Sequence, residues 1–368
     1  PGRQSRLLTH GCRALRMIGG LMAVIATAAM AVESTPPGRG LHLDPDALTD
    51  PATPAADQST VHGPTPHRLV MPDGAVLPLR RWGPAPEAGD SPSAVILGLH
   101  GFNDHAGGFI AVARALSAAD IAVYAYDQRG FGGSEQRGAW PGAGQLVSDA
   151  RWALTQLRHR YPDTPIHLIG LSMGGAVASL LMDRSPAPAV DSAVLVAPAF
   201  WGRGVMPWYQ RFALWAGQQV APDLTLSSET LDIEPTDDAA VMQALRDDPL
   251  WIRAPSVDAM AGVANLMDQA LRALPRFDGP PTLIQYGGLD EVIPPEAACA
   301  MFTALPGGAP WRAAFYPNGY HMLTRYSGSA DVLGDIRRFI ADPDAILPSG
   351  RGIGQSAARR AVCGEQSR

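Results

Sequence analysis

Residues Ile166–Met182 read IHLIGLSMGGAVASLLM, an apolar run interrupted by Gly170-Leu171-Ser172-Met173-Gly174. The apolar residues before the interruption predict a buried strand, and the apolar, alanine-containing run after it predicts a helix. The interruption has the G-x-S-x-G pattern, in which a sharp strand-to-helix turn lifts a serine hydroxyl clear of the backbone. Glycine suits both flanking positions because side chains there would collide in so tight a turn. The stretch therefore predicts a nucleophilic serine, Ser172, at the carboxyl end of a buried strand.

Short apolar runs alternate with helical patterns on both sides of this stretch. Strands are predicted for Ala94–Leu99, Ile121–Tyr126, Ser192–Val196, Thr282–Tyr286 and Arg312–Tyr316, and helices for Phe109–Ala118, Gln145–Arg160 and Ala330–Ile340. Before them, a hairpin is predicted from Arg68 to Trp82 around the turn Pro72-Asp73-Gly74. Alternation without an internal repeat is typical of an α/β fold, a mostly parallel central sheet with helices on both faces. The hairpin would form one antiparallel edge.

The alternation stops at about residues 198–275, where aromatic residues are frequent. Helical patterns cover Trp208–Val220, Ala239–Asp247 and Val257–Ala273. An insertion of this size after a core strand predicts a helical cap over the carboxyl edge of the sheet, where α/β proteins bind ligands. We expect most of its aromatic side chains to pack a small core within the insertion. Trp201, Trp208 and Phe212 are the candidates for substrate binding.

Both ends of the chain differ in composition from the middle. Residues 1–32 carry four arginines and then an uncharged run of 16 residues, Met17 to Val32, that ends near Ala29-Met30-Ala31. This pattern predicts a secretory signal peptide and export to the periplasm or beyond, although an uncleaved inner-membrane anchor stays open. Residues 33–67 are rich in proline and predict a mobile linker, 68–341 the folded domain, and 342–368 a disordered tail.

Composition excludes several classes of function. The chain has 46% hydrophobic and 17% charged residues and a net charge of −6, which fits a globular enzyme and argues against nucleic-acid binding. Its three cysteines, Cys12, Cys299 and Cys363, form neither a disulfide framework nor a metal-ligand spacing. Cys299 and Cys363 could pair in a processed protein, but we expect them to stay unpaired. The oligomeric state cannot be read from the sequence.

A nucleophilic serine needs a histidine base and a carboxylate that orients it. In the expected strand order both partners follow the serine. Of nine histidines, only His321, in Asn318-Gly319-Tyr320-His321, follows the candidate acids and stands just past a predicted strand. Asp290, after the strand that ends at Tyr286-Gly287-Gly288, is favoured as the acid, and its neighbour Glu291 is the alternative.

The negative charge that forms on the substrate oxygen needs two backbone N–H donors. Met173, at the start of the helix after Ser172, and Phe102, in His100-Gly101-Phe102, are the candidates. His100, Asp104 and His105 bear a faint likeness to metal ligands, but no zinc spacing accompanies them. We expect neither a metal nor a cofactor. Asp127 is interpreted as a loop-bracing carboxylate near Arg129.

Five motifs in this order carry a family resemblance: HGFNDH at 100–105, YDQRGFGGS at 126–134, GLSMGG at 170–175, YGGLDEVIP at 286–294 and NGYHMLTR at 318–325. Together they resemble the bacterial monoacylglycerol lipase/lysophospholipase group of the α/β-hydrolases, which is often placed with the serine aminopeptidase-like hydrolases. The resemblance covers about residues 69–340, and Leu171 stands where such enzymes more often carry histidine.

The resemblance implies an enzyme that cleaves an ester bond in a small lipid-like substrate, without a cofactor and with a cap that receives the acyl chain. Transient contact of the cap with a membrane surface is a further expectation. A broad carboxylesterase and a serine aminopeptidase-like peptidase are the alternative enzymes. From a different class, a catalytically inactive binding protein is the remaining alternative, and the Ser172, Asp290 and His321 set argues against it.

Overall fold

The computed structural model describes residues 65–84, 92–183, 188–227 and 233–364. The predicted signal peptide (1–32) and nearly all of the predicted linker (33–67) lie outside the described residues. Only the last three residues of that linker are described, and they belong to the first strand. No helix within the described ranges combines the length and the hydropathy needed to cross a membrane.

The strands of the sheet alternate with helices along the chain. The strands are β1 (Thr65–Val70), β2 (Val76–Trp82), β3 (Ala94–Leu99), β4 (Ile121–Tyr126), β5 (Ile166–Leu171), β6 (Ser192–Val196), β7 (Thr282–Gly287), β8 (Trp311–Tyr316) and β9 (Gly352–Ile353). The helices are α1 (Ile110–Ser117), α2 (Ala143–Arg160), α3 (Met173–Met182), α4 (Trp208–Val220), α5 (Ala239–Asp247), α6 (Val257–Ala273), α7 (Pro295–Ala304), α8 (Ser329–Ala341) and α9 (Gln355–Cys363). Two 3₁₀ turns span Ala106–Phe109 and Leu274–Arg276.

The described strands form one sheet in the order β1-β2-β4-β3-β5-β6-β7-β8-β9. Strands β4, β3, β5, β6, β7 and β8 are parallel, whereas β1 and β2 at one edge and β9 at the other are antiparallel. The predicted mostly parallel sheet with an antiparallel hairpin edge is therefore confirmed. Parallel pairing brings the carboxyl ends of β3, β5, β7 and β8 to the same edge, where the loops after them meet.

The core has two layers because successive side chains of a strand point to opposite faces. Val95 and Leu97 of β3 pack under α2, α3 and α7, whereas Ala94 and Ile96 pack under α1 and α8. Strands β3 to β7 are buried along their whole length, as expected for parallel strands covered on both faces.

Between β6 and β7 the described residues form three helices, α4, α5 and α6, which agree with the helical patterns in the sequence. Helix α6 packs its buried face against the core, but α4 buries only Ala213. Trp208, Phe212 and Trp215 of α4 expose 75%, 53% and 59% of their surface. The expectation that most cap aromatics pack a core of their own is therefore wrong for these three side chains.

The prediction of a disordered tail at 342–368 is wrong for the residues described up to 364. Strand β9 pairs with β8, and α9 packs on α7 with Ala358 fully buried. Arg359 donates from Nε and Nη2 to the carbonyls of Phe302 and Leu305, which lie in the last turn and C-cap of α7. The tail consists mainly of small and polar residues. Polar side chains that bond to the end of a helix leave no hydrophobic pattern in the sequence.

The expectation of unpaired cysteines is also wrong, because Cys299 of α7 and Cys363 of α9 form a disulfide with their Cα atoms 4.9 Å apart. The bond joins the end of the described chain to the body of the fold. The folded part thus reaches at least Cys363, about twenty residues beyond the predicted boundary at 341.

Candidate active site

Ser172 occupies the turn between β5 and α3. Its φ of 49° lies in the left-handed region, which is strained for a residue with a side chain. A Cβ on Gly170 would lie 2.5 Å from the carbonyl oxygen of Gly174, and one on Gly174 would lie 2.0 Å from that of Leu99. Only glycine fits both positions. The turn thus has the tight strand-to-helix geometry that the G-x-S-x-G pattern predicts.

The loops after β7 and β8 bring two further side chains to Ser172. His321 lies with Nε2 3.0 Å from the Ser172 hydroxyl oxygen and Nδ1 2.8 Å from Oδ2 of Asp290. Since a carboxylate only accepts hydrogen bonds, Nδ1 carries the proton and Nε2 presents its lone pair to Ser172. The other carboxylate oxygen, Oδ1, accepts from the N–H groups of Val292 and Ile293 at 2.9 and 2.8 Å.

The alternative acid, Glu291, faces elsewhere. Its Oε2 accepts a hydrogen bond of 3.2 Å from the N–H of Glu234 in the cap. The Asp290 side chain, in contrast, is fully buried against His321. The geometry therefore favours Asp290 as the partner of the histidine.

The candidate N–H donors lie on either side of Ser172. Met173 is the first residue of α3, where the helix dipole adds partial positive charge. A Cβ on Gly101 would lie 3.4 Å from the Cβ of Ser172, so the loop that carries Phe102 runs directly against the serine. Neither amide donates to a protein acceptor within the described part of the chain. Both remain available to a substrate oxygen.

The loop His100–His105, which we term the oxyanion loop, is held from beneath by buried polar groups. The N–H of Gln128 donates to Nε2 of His100 at 2.9 Å, and Nδ1 therefore donates to the carbonyl of Gly101 at 2.8 Å. Burial lowers the pKa of His100, which keeps the ring neutral. Asp127 accepts from the N–H groups of Ala106 and Gly133, both at 2.8 Å, which confirms its bracing role.

Arg129, expected near Asp127, pairs instead with Asp149 at 2.9 Å and Asp73 at 3.0 Å.

Two contacts of the oxyanion loop escaped the sequence analysis. Asp104, buried, forms an ion pair with Arg325, four residues after His321. Burial raises the pKa of Asp104, but the Arg325 guanidinium, together with smaller contributions from the neighbouring groups, outweighs burial and holds the pKa below its usual value. His105 contacts Asp248, just past α5, with Nε2 2.7 Å from Oδ2. The motif HGFNDH contains Asp104 and His105, but nothing in the sequence indicates which distant residues they contact.

The three candidate substrate-binding side chains differ in how deeply they are buried. Trp201 is partly buried against the core, whereas Trp208 and Phe212 lie exposed on the surface of α4. Their contact with a substrate stays a prediction.

Comparison with known proteins agrees with this fold. The family model described as Hydrolase_4, serine aminopeptidase S33, matches residues 90–325. The monoglyceride lipase of Homo sapiens is 29% identical over 273 residues, covering 72% of this chain and 86% of the relative. The monoacylglycerol lipase of Mycolicibacterium smegmatis is 28% identical over 256 residues, covering 68% and 88%.

Solved structures show the same fold at lower identity. A soluble variant of monoglyceride lipase from Saccharomyces cerevisiae, in complex with a substrate analogue, superposes with a TM-score of 0.63 at 17% identity, covering 79% of this chain and 98% of that one. Monoacylglycerol lipase from Paleococcus ferrophilus gives a TM-score of 0.58 at 20% identity, covering 72% and 98%. The predicted α/β-hydrolase fold is confirmed.

Proposed function

Because the chain belongs to the Hydrolase_4 (serine aminopeptidase, S33) family of α/β-hydrolases, we propose that it cleaves monoacylglycerols and similar monoesters through an acyl-enzyme on Ser172. An ester-hydrolase activity follows from the relatives. The observation that carries the proposal further is the continuous hydrogen-bonded series Ser172–His321–Asp290, with spacings of 3.0 and 2.8 Å.

The first step forms the acyl-enzyme. Oγ of Ser172 attacks the ester carbonyl while Nε2 of His321 takes its proton, and Asp290 stabilises the resulting imidazolium. The N–H groups of Phe102 and Met173 stabilise the oxyanion, and losing one such donor costs about 3–4 kcal/mol of transition-state stabilisation. The tetrahedral intermediate then collapses, the C–O bond breaks, and the leaving alcohol takes the proton from His321.

The second step regenerates the enzyme. A water molecule gives its proton to Nε2 of His321 and attacks the acyl carbonyl, and collapse of this second intermediate returns the proton to Ser172 and releases the fatty acid. No cofactor enters either step.

The contacts of two cap arginines favour a substrate with an uncharged head group. A phosphate needs arginines with free donors, but Arg203 is paired with Asp268 at 2.6 Å and also bonds Asn265. Arg246 bonds Gln243 in its own helix. We therefore propose monoacylglycerols and medium-chain esters over lysophospholipids, and poor cleavage of bulky triacylglycerols.

The acidic residues of the cap give little support to the aminopeptidase alternative, which needs carboxylates that hold a substrate ammonium. Asp237 accepts from the N–H and hydroxyl of Ser327. Asp238 caps α5 by accepting from the N–H groups of Ala240 and Val241. Two of the carboxylates are thus already engaged in holding the backbone.

A substrate panel tests the proposal. Values of kcat/KM are measured for monoacylglycerols of increasing chain length, an acetate ester, a lysophospholipid, a triacylglycerol and an aminoacyl amide, with Ser172→Ala as control. We expect monoacylglycerols to be best, rising with chain length and then levelling, because each buried CH₂ contributes about 0.8 kcal/mol. An acetate ester or an aminoacyl amide as the best substrate would contradict the lipid assignment.

The exposed rings of α4 support transient contact with a lipid surface. Trp208, Phe212 and Trp215 follow one another at helical spacing, and aromatic rings partition favourably into the membrane interface. We propose that this face docks while substrate enters. Co-sedimentation with vesicles should fall in a Trp215→Ser variant, while hydrolysis of a water-soluble ester stays unchanged. Equal sedimentation of the wild type and the variant would contradict the proposed membrane contact.

We also propose export, which the N-terminal pattern predicts and the disulfide supports, since such bonds persist in oxidising compartments. The N-terminus of the protein isolated from cells provides the test. Cleavage near residue 32 supports a signal peptide, and an intact, membrane-retained N-terminus supports an anchor.

A further inference from the structure

Residues 235–252 run across the site from one catalytic loop to the other, and we term them the strap. At its first end, the carbonyl of Pro235 accepts from the N–H of Met322 at 2.9 Å. The hydroxyl of Thr236 donates to the carbonyl of Arg325 at 2.7 Å. Both partners lie in the loop that carries His321. The strap is thus bonded on one side to the loop of the base.

The second end of the strap is bonded to the oxyanion loop. The N–H of Ile252 donates to the carbonyl of Asn103 at 3.0 Å, and Asp248 contacts His105 at 2.7 Å. These two bonds flank Asp104, whose ion pair with Arg325 joins the oxyanion loop to the loop of His321. The strap and the two loops are therefore joined to one another pairwise.

The hydrogen bond between His105 and Asp248 requires one particular tautomer of the His105 ring. Nδ1 of His105 accepts from the N–H of Gly107 at 3.0 Å, so Nε2 carries the proton and donates it to Asp248. Burial raises the pKa of Asp248, but the bond from His105, together with the N–H of Leu250 and the nearby Arg80, outweighs burial and holds the pKa below its usual value, so the acceptor is a carboxylate. The ring is buried, whereas Asp248 is partly exposed. The two ring nitrogens serve different partners, one in the 3₁₀ turn that follows the oxyanion loop and one in the cap.

We propose that His105 and Asp248 are positioning residues through which the cap holds the amide of Phe102 in its oxyanion-binding place. Phe102 lies three residues before His105, and its own side chain contacts Phe131 at 5.6 Å between ring centroids. Without the bond to Asp248, the second half of the oxyanion loop keeps only one of its two bonds to the strap, the one from Ile252 to Asn103. A displacement of about 1 Å at a reacting group can cost on the order of 100-fold in rate. This inference rests on the proposed serine mechanism.

Two substitutions of His105 separate positioning from a local structural role. Asparagine places an acceptor near Nδ1, so His105→Asn keeps the bond from Gly107 and loses Asp248. Glutamine places a donor near Nε2, so His105→Gln keeps Asp248 and loses Gly107. We expect His105→Asn to lower kcat by about 10- to 100-fold with KM within about threefold, and His105→Gln to stay within about threefold. If His105 acted only as the cap of the 3₁₀ turn at Ala106–Phe109, the order would be reversed.

Substitution of the partner gives an independent arm. Asp248 accepts from the N–H of Leu250 with its other oxygen, Oδ1, at 2.7 Å. Asp248→Asn keeps the size of the side chain but offers one oxygen for two donors, so it should lower kcat as His105→Asn does. The double variant should be no slower than the slower single one. Asp247→Asn is the matched control, since Asp247 is exposed and bonds Gln243 in the same helix, and it should match the wild type.

A transition-state analogue completes the test. The Ki of a trifluoromethyl ketone, whose adduct carries an oxyanion, should rise in His105→Asn and Asp248→Asn by the same factor by which kcat/KM falls. Labelling of Ser172 by a fluorophosphonate and an unchanged melting temperature establish that each variant is folded and holds its nucleophile. Unchanged kcat and Ki in both variants would overturn the inference. An active Ser172→Ala variant would instead overturn the proposed function.

Discussion

Cutting the bond between Cys299 and Cys363 should lower the thermal stability of the protein and leave its catalytic rate unchanged. The two cysteines are 64 residues apart in sequence. By closing a loop of this length, the disulfide lowers the entropy of the unfolded chain and so stabilises the fold by about 4 kcal/mol at 25 °C. Divided by the unfolding entropy of a domain of about 300 residues, this loss of stability corresponds to a decrease of about 6 °C in the melting temperature.

The assay is thermal unfolding of four samples: oxidised wild type, wild type in dithiothreitol, Cys363→Ser and Cys299→Ser/Cys363→Ser. All but the first lack the same covalent bond, so their melting temperatures should agree with one another and lie below that of the oxidised wild type. Ester hydrolysis at 25 °C should be equal in all four. Melting temperatures within 1 °C of one another across the set would refute the reasoning, because the bond would then constrain nothing.

Three further perturbations test other parts of the account. Burial lowers the pKa of His167 to about 4, so as the pH falls from about 6.5 to 4 the unfolded chain binds a proton at this residue that the native ring does not bind. The free energy of unfolding should therefore fall by about 3 kcal/mol over this range. Urea titrations of His167→Asn should lack that loss. Asp290→Asn should lower kcat by on the order of 10⁴ by disfavouring the productive tautomer of His321, and a larger effect of Glu291→Gln would reassign the acid. Arg325→Met leaves the carboxylate of Asp104 buried without its cation and should destabilise the fold by about 3–5 kcal/mol, measured by urea unfolding. An equal loss in Arg325→Lys would mean that charge alone does not explain the stability that the pair provides.

The sequence predicted the fold well because its signals are local. Buried parallel strands such as Ile121–Tyr126 are short apolar runs, and Ser172 sits in a turn that admits only glycine on both sides. His321 and Asp290 could be singled out because strand order limits where the partners of a nucleophile stand. Their hydrogen bonds to one another follow from the parallel sheet, which collects the loops at one edge.

The residues that the sequence could not identify act through contacts between distant segments. Asp248 meets His105 across 143 positions, and Arg325 meets Asp104 across 221. No periodicity or spacing encodes such pairs. The ordered tail escaped prediction for a related reason: α9 is held by a disulfide and by Arg359 on the end of α7, and neither feature produces an apolar pattern. The exposed rings of α4 escaped because composition cannot distinguish a core from an unpartnered surface.

The covalent state of Ser172 during turnover tests the central claim most directly. A long-chain p-nitrophenyl ester is mixed with the enzyme, the reaction is quenched in acid within milliseconds, and the protein is analysed by intact mass and peptide mapping. We predict a mass increase of one acyl group, located on Ser172, formed together with an equimolar burst of p-nitrophenol and absent in Ser172→Ala. An acyl group on another residue, or steady turnover by Ser172→Ala, would contradict it.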